Sequence, residues 1–81
     1  SIITNDAIGG YGEQGEVTLS VMVEPNGRAS AVDVVQGSGY ARLDRAAHDT
    51  VLNQYRFTPA TRGGQAIAYR YRFSIVFKLN R

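Results

Sequence analysis

The sequence contains no cysteine, so no disulfide can stabilise its 81 residues. A chain of this length makes one domain with a modest core, and that core has to hold the fold together alone. The lack of cysteine is compatible with the cytoplasm and with a bacterial periplasm. The chain also lacks any run of 18 apolar residues, so we expect no segment of it to span a membrane as a helix.

Acidic residues are missing from the C-terminal part of the chain. All seven acids precede residue 50, although the net charge of the whole chain is only +2. Six basic residues and no acid lie from Gln54 onward: Arg56, Arg62, Arg70, Arg72, Lys78 and Arg81. This asymmetry favours an acidic or anionic partner for the C-terminal part, and a solvated basic face is the alternative.

Regular periodicity is missing from residues 1–15, which contain four glycines and no sustained apolar pattern. Such a composition offers few groups to bury. We therefore predict a flexible glycine-rich arm over residues 1–15, of which residues 1–12 are mobile on the nanosecond timescale. One folded domain is predicted over residues 16–81.

A β-hairpin is predicted after this arm. Apolar residues occupy every second position of its first strand: Val17, Leu19, Val21 and Val23. The string Pro25-Asn26-Gly27-Arg28 is typical of a tight turn, because proline presets φ and glycine accepts the left-handed conformation. A second alternating stretch, residues 30–35, forms the returning strand.

An amphipathic helix is predicted over residues 41–55. Apolar residues recur there at three- and four-residue steps: Leu43, Ala46, Ala47, Val51 and Tyr55. The string Phe57-Thr58-Pro59 ends the helix, since proline disfavours helical backbone at the residue before it. The string Thr61-Arg62-Gly63-Gly64 is predicted to be a loop.

The longest periodic stretch lies near the C-terminal end. Seven apolar residues hold alternate positions over thirteen residues: Ile67, Tyr69, Tyr71, Phe73, Ile75, Phe77 and Leu79. This period of two predicts a strand with one buried face. We expect the helix to cover that face and the apolar face of the hairpin with Leu43, Ala47, Val51 and Tyr55.

These elements predict an α+β fold with the order β-β-α-β, in which the helix packs on one face of a three-stranded antiparallel sheet. A right-handed crossover places the third strand beside the first, so the spatial order is 2-1-3. The third strand is then an edge strand, and we expect it to overhang a hairpin whose strands have about eight residues. Because natural proteins avoid long unprotected edges, this edge is expected to bind a partner.

Several motifs, in order, resemble the C-terminal domain of TonB proteins. They are Gly12-Glu13-Gln14-Gly15-Glu16-Val17, Val23-Glu24-Pro25-Asn26-Gly27-Arg28, Val35-Gln36-Gly37-Ser38-Gly39, Leu43-Asp44-Arg45-Ala46-Ala47, Tyr55-Arg56-Phe57-Thr58-Pro59-Ala60 and Ile75-Val76-Phe77-Lys78-Leu79. They match the family's Gly-x-Val strand start, Pro-Asp-Gly-Arg-like turn, Leu-Asp-x-Ala-Ala helix and Arg-Phe-x-Pro exit. The resemblance covers residues 12–79. Residues 1–10 depart from the family, which usually has Tyr-Pro and a short apolar helix before the first strand.

The resemblance implies a periplasmic module that binds a partner, uses no cofactor and catalyses no reaction. In this family the domain is the far end of a protein anchored in the inner membrane of a Gram-negative bacterium. A motor complex of the ExbB/ExbD type couples that protein to the proton motive force. The partners implied are the TonB box and the periplasmic face of TonB-dependent outer-membrane transporters, which take up iron chelates, haem or other nutrients.

The expected binding site is the edge of the third strand, where a peptide adds by β-augmentation. Its residues are Tyr69, Arg70, Tyr71, Arg72, Phe73, Ser74, Ile75, Val76, Phe77 and Lys78. The basic residues among them flank the added peptide and favour acidic residues in it. Two alternatives remain open: a homodimer across the same edge, and docking on the second strand, residues 28–36.

Other functions have weaker support in the sequence. His48 and Asp44, four residues apart on the helix, are too few to make a metal site, and we expect them to pair at the surface. No serine is placed by its spacing to be activated by His48, so an enzyme is not indicated.

Two further alternatives concern the class of binding domain. The aromatic residues of the last strand alternate with arginines, as in some RNA-binding sheets, but we expect these aromatics to lie in the core and no nucleic acid to bind. A nucleic-acid-binding α+β module is therefore the weaker alternative. A TolA-like periplasmic interaction domain of similar topology is the stronger one.

Overall fold

The computed structural model describes residues 2–4, for which only the backbone is considered, and residues 12–79. The elements in these ranges are β1 (Ile2–Thr4), β2 (Gly15–Val23), β3 (Ala29–Gln36), α1 (Ala41–Asn53), β4 (Ala60–Arg62), β5 (Gln65–Ile67) and β6 (Tyr69–Lys78). Residue 1 and residues 5–11 of the predicted arm lie outside the described residues, and the mobility of the arm stays a prediction.

Four strands form the main sheet, in the order β1-β6-β2-β3. Strand β2 is antiparallel to β3 on one side and to β6 on the other. These three strands are the first, second and third strands of the predicted 2-1-3 sheet, so the α+β fold is confirmed. Strand β1, which the sequence did not predict, runs parallel to the outer edge of β6, with Ile2 opposite Val76 and Thr4 opposite Lys78.

The turn between β2 and β3 is built as its sequence predicts. The Gly27 N–H donates to the Glu24 carbonyl at 2.8 Å, and the Arg28 N–H donates to the Asn26 side-chain oxygen at 2.9 Å. Gly27 has φ +83°, in the left-handed region. Beyond the turn the register shifts twice, which leaves Ser30 and Val35 as extra residues in β3.

The core lies between α1 and one face of the sheet. The helix packs on β3 and β2, and its Leu43, Ala47 and Val51 are buried as predicted. With them, eight buried apolar side chains of the sheet make up the core of the described residues: Val17, Leu19, Val21, Val23, Ala29, Val32, Ile75 and Phe77. Tyr55 follows the end of the helix and is half-buried. The helix is too short and too polar to cross a membrane, and the described residues contain no other helix.

A loop before the helix is held by one carboxylate. Asp44, in the first turn, accepts hydrogen bonds from the Ser38 N–H at 2.9 Å and from the Ser38 hydroxyl at 2.8 Å. The Tyr40 N–H donates to that same hydroxyl at 3.0 Å. Residues 37–40 are thereby fixed as the entry to the helix, and an acid near the helix N-terminus also complements its dipole.

The last predicted strand differs from the sequence interpretation in two ways. Its start, Ile67, belongs instead to a separate β4–β5 hairpin, and the predicted loop around Gly63 is the turn of that hairpin. The predicted overhang is wrong, because β2 pairs with β6 continuously from Val23 opposite Tyr69 to Gly15 opposite Phe77. Strand β2 is nine residues long rather than about eight, which is enough to pair with nearly all of β6.

The apolar face of β6 is buried only at its C-terminal end. Ile75 and Phe77 are buried and Phe73 is half-buried, whereas Tyr69 and Tyr71 are exposed. The expectation that all these residues form core, with Tyr71 under the helix, is therefore wrong. The physical reason is that the helix lies over β3 and β2 and leaves the first half of β6 uncovered.

Candidate functional site

The ten residues predicted to bind a partner are the ten residues of β6. One edge of this strand is paired with β2 from Tyr69 to Phe77. The other edge is paired with β1 at residues 76–78, so residues 69–75 have no neighbouring strand on that side within the described chain. We call residues 69–75 the open edge. It is about 23 Å long, which suits a peptide of about seven residues.

On the face of the sheet away from the helix, the open edge carries two arginines, of which one makes polar contacts with other described side chains and one does not. The Arg70 guanidinium donates to the Ser20 hydroxyl at 3.0 Å and lies 3.8 Å from the Asp33 carboxylate, so it leans across β2 towards β3. Arg72 is exposed and has no hydrogen bond or ion pair to the described residues. The charge that is available to a partner at the open edge is therefore chiefly that of Arg72.

The middle of the edge strand is tied to β2 through side chains as well as backbone. The Ser74 and Thr18 hydroxyls lie opposite each other and are 2.8 Å apart, in a partly buried hydrogen bond. At the far end, the Leu79 N–H donates to the Gln14 side chain at 2.9 Å. These contacts hold β6 in register with β2 and so fix the position of its free edge.

On the helix side, two aromatic rings are left uncovered next to the open edge. Tyr69 is 53% exposed and Tyr71 is 36% exposed. Their ring centroids are 5.2 Å apart at an interplanar angle of 62°, an edge-to-face contact. Sequence reasoning assigned both rings to the core. The sequence does contain a signal against that assignment: the predicted helix of residues 41–55 is only about 22 Å long, which is too short to cover three strands along their whole length.

Next to these tyrosines lies a second aromatic group, formed by Tyr55, Phe57 and Phe73. The three ring centroids are 5.8 to 6.5 Å apart. The group is held from below by the hairpin turn, because the Phe57 N–H donates to the Gly27 carbonyl at 2.8 Å. The segment that leaves the helix is thus pinned over Phe73, and it separates the buried end of β6 from its exposed end.

The structure does not bring His48 and Asp44 together as a pair or as part of a metal site. His48 lies 2.9 Å from Asp49 rather than pairing with Asp44, which is engaged by Ser38, so the expected His48–Asp44 pair is wrong. Residues 2–4 and 12–79 contain no group of three or more side chains suited to hold a metal ion.

The exposure of Tyr69 and Tyr71 removes one reason for setting aside a nucleic-acid partner. Both rings are accessible rather than part of the core. The arginines, however, alternate with them and therefore lie on the opposite face of the sheet. Base stacking and phosphate contacts would have to be made on two different surfaces, which does not resemble an RNA-binding sheet.

Comparison with known proteins identifies the family to which this chain is similar. The model of the family described as Gram-negative bacterial TonB protein C-terminal matches residues 11–79. The Protein TonB of Xanthomonas campestris pv. campestris (strain B100) is 42% identical over 69 residues, which cover 85% of this chain and 30% of that protein. The Protein TonB of Neisseria gonorrhoeae is 51% identical over 41 residues, covering 51% of this chain and 14% of that protein.

A solved structure shares the fold. The solution NMR structure of the Pseudomonas aeruginosa TonB CTD superimposes with a TM-score of 0.67 at 22% identity, covering 95% of this chain and 74% of that one. The chain spans less than a third of the length of the Xanthomonas relative that it matches.

Proposed function

The chain belongs to the Gram-negative bacterial TonB protein C-terminal family, and from that premise we propose that it is a periplasmic, non-catalytic module that pairs the open edge of β6 with the TonB box of outer-membrane transporters. The observation that carries the proposal is the row of backbone groups at residues 69–75 that has no neighbouring strand within the described chain. An edge of this kind is a template for an added strand, in which main-chain hydrogen bonds supply the affinity.

Charge also supports an extended partner at this edge. The chain has no acid after Asp49, and Arg72 is exposed beside the open edge with no partner in the described residues. An acidic residue in the bound peptide would gain a charge-assisted contact there. Because this attraction is between exposed groups, binding should weaken as salt is raised from about 0.05 M to about 0.5 M.

In the proposed setting, the domain is the periplasmic end of an inner-membrane-anchored transducer. A motor complex of the ExbB/ExbD type would supply energy from the proton motive force, and the transporter served would import an iron chelate, haem or another nutrient. The support for this wider setting is the match to the family of TonB C-terminal domains and the likeness to TonB proteins over part of their length. A TolA-like periplasmic interaction domain of similar topology is the alternative.

The proposal can be tested by NMR titration of the isolated domain with short peptides from the N-termini of candidate receptors. We expect the largest amide shifts at residues 69–75 and small shifts along β3. Shifts confined to residues 28–36, with residues 69–78 unchanged, would assign docking to the opposite edge of the sheet and reject the proposal. Single-stranded RNA serves as the control for the nucleic-acid alternative and should leave the open edge unperturbed.

A proline substitution gives a second test that depends on backbone hydrogen bonds. Consecutive residues of a strand direct their N–H groups to opposite edges, so one of two adjacent prolines must remove a donor from the open edge. Tyr71→Pro and Arg72→Pro suit this purpose because neither side chain is buried, unlike that of Ile75. We expect one of the two variants to lose peptide binding while keeping most of its thermal stability. Equal retention of binding by both folded variants would count against β-augmentation.

A further inference from the structure

The two faces of the sheet differ chemically along the open edge. On the helix side, Tyr69 and Tyr71 are exposed and in edge-to-face contact. On the outer side, Arg72 is exposed and has no partner among the described residues, whereas Arg70 is held by Ser20 and Asp33. A strand added to this edge would therefore meet aromatic rings on one face and a free cation on the other.

We propose that the segment recognised by the open edge is a two-faced peptide, with apolar or aromatic side chains at alternate positions against Tyr69 and Tyr71 and carboxylates at the intervening positions near Arg72. This inference rests on the proposed function, because it requires that a peptide pairs with β6. It goes further by stating which side chains the peptide carries and on which face each of them lies.

The first support is the geometry of strand pairing. Residues directly opposite each other on neighbouring strands point to the same face of the sheet, and diagonal neighbours on that face remain within reach of long side chains. A peptide of about seven residues along the open edge presents three or four side chains to each face. Those on the helix side fall in line with Tyr69 and Tyr71, and those on the outer side fall in line with Arg70 and Arg72.

The second support is the apolar surface that such a peptide would cover. Phe73 of the aromatic group follows Tyr71 on the same face of β6, and the open edge runs alongside both exposed tyrosines. An apolar side chain placed there extends the packed aromatic surface across the edge and removes ring area from water. Tyrosine suits this position because its hydroxyl can stay hydrated while its ring is covered.

The third support is that a peptide bound the other way round, with its carboxylates on the helix side of the sheet, would be disfavoured. The helix-side residues of the two strands near the open edge are apolar or aromatic: Leu19, Val21, Val23, Tyr69, Tyr71, Phe73 and Ile75. A carboxylate among them would meet the electron-rich faces of aromatic rings and no cation from β2 or β6. The outer face instead offers the one uncommitted arginine of the open edge, so the two kinds of side chain are sorted by face.

Two blocked peptides of identical composition separate this pattern from composition alone. Each has seven residues: two glutamates, one phenylalanine, one leucine and three threonines. In the segregated peptide the glutamates are second and fourth, with phenylalanine third and leucine fifth. In the mixed peptide the glutamates are second and fifth, with phenylalanine third and leucine fourth, so that each face carries one acid and one apolar residue in any register.

We expect the segregated peptide to bind about tenfold more tightly than the mixed peptide, as measured by fluorescence anisotropy at low salt. Tyr71→Ser and Arg72→Gln should each remove most of this preference. Matched controls at other places should retain it: Tyr40→Ser, an exposed tyrosine beyond the opposite end of β2, and Arg45→Gln, an exposed arginine on the helix. Tyr69→Ser, at the more exposed ring, keeps the test valid if Tyr71→Ser unfolds.

Three results would overturn the inference. Equal affinity of the two peptides, with amide shifts at residues 69–75, would reject the sorted pattern and leave strand pairing at β6 in place. A preference that survives in folded Tyr69→Ser and Tyr71→Ser variants would reject the role of the tyrosines. Absence of shifts at residues 69–75 with these peptides and with receptor peptides would reject both the inference and the proposed function.

Discussion

At the scale of single residues, Gly27 is the glycine of residues 12–79 at which an added side chain has least room. Its φ of +83° disfavours other residues, and a Cβ there would lie 2.5 Å from the Phe57 carbonyl oxygen. Gly27→Ala should therefore lower the free energy of unfolding by more than the ~1–2 kcal/mol expected of left-handed backbone alone. Urea denaturation measures the loss.

The chain offers a matched control in Gly64, which has a similar φ of +80° but nothing within 4 Å of the added Cβ. Gly64→Ala should show the backbone effect only. If the two variants lose the same stability, the close contact between the hairpin turn and Phe57 contributes nothing, and the position of the aromatic group depends on other contacts.

Val51 is the residue whose substitution tests the helix–sheet packing. It is fully buried between α1 and the sheet. Val51→Asp places a carboxylate there without a cation, which should cost about 3–5 kcal/mol, a large part of the stability of so small a domain. Val34→Asp, at a side chain that is 39% exposed on β3, is the control and should change the melting temperature little. An unchanged melting temperature for Val51→Asp would refute the packing.

At the scale of elements, β1 covers one end of the candidate site. It pairs with residues 76–78 and leaves residues 69–75 open. A chain that starts at residue 12 should keep its fold, because the buried core lies between Val17 and Phe77. In that shorter chain we expect a bound peptide to shift the amides of residues 76–78 as well. An unchanged footprint would mean that β1 does not compete with the peptide.

NMR backbone order parameters of the 81-residue chain give an independent measure of how stably β1 pairs with β6. Stable pairing predicts ordered amides at residues 2–4, whereas the glycine-rich composition of residues 1–15 predicts mobility on the nanosecond timescale. Low values at residues 2–4 would show that the arm leaves the edge free most of the time.

The elements that sequence predicts well are those whose pattern is local. Alternating side chains define β2 and β6, and three- and four-residue steps define α1. The turn string from Pro25 to Arg28 defines β3 as the hairpin partner of β2. Strand β1 escapes prediction because Ile2–Thr4 is too short to show a period, and its pairing with residues 76–78 joins opposite ends of the chain.

Only part of the candidate site can be predicted from the sequence. The placement of β6 beside β2, with β3 on the far side, follows from topology, which a few rules constrain. The pairing of β1 with residues 76–78, which makes β6 an edge only at residues 69–75, does not. The exposure of Tyr69 and Tyr71 does not, since an aromatic residue at an alternate position reads as core whether or not a helix covers it. That coverage depends on the path of α1 over β3 and β2, a property of packing between distant parts of the chain. The commitment of Arg70 to Ser20 and Asp33 is likewise a tertiary property.

At the scale of the whole molecule, the open edge can pair with a second copy of the chain. Such a dimer and a peptide complex would use the same backbone groups of residues 69–75, so they exclude each other. We expect any dimer seen at high protein concentration to dissociate when a receptor peptide is added, as followed by sedimentation velocity. A dimer that binds peptide without dissociating would have its interface elsewhere on the molecule.

The pairing of β2 with strands on both sides also affects the order in which the sheet forms during folding. Its partner β3 is reached through a short turn, and such hairpins form in about 1–10 μs. Its other partner, β6, lies far along the chain: Thr18 and Ser74 are 56 residues apart. The entropy cost of closing that loop comes before any stabilising contact between the two strands. The last strand should therefore be added late, on the order of milliseconds or slower, as in folds with many non-local contacts. Until then the central strand has an unpaired edge of its own.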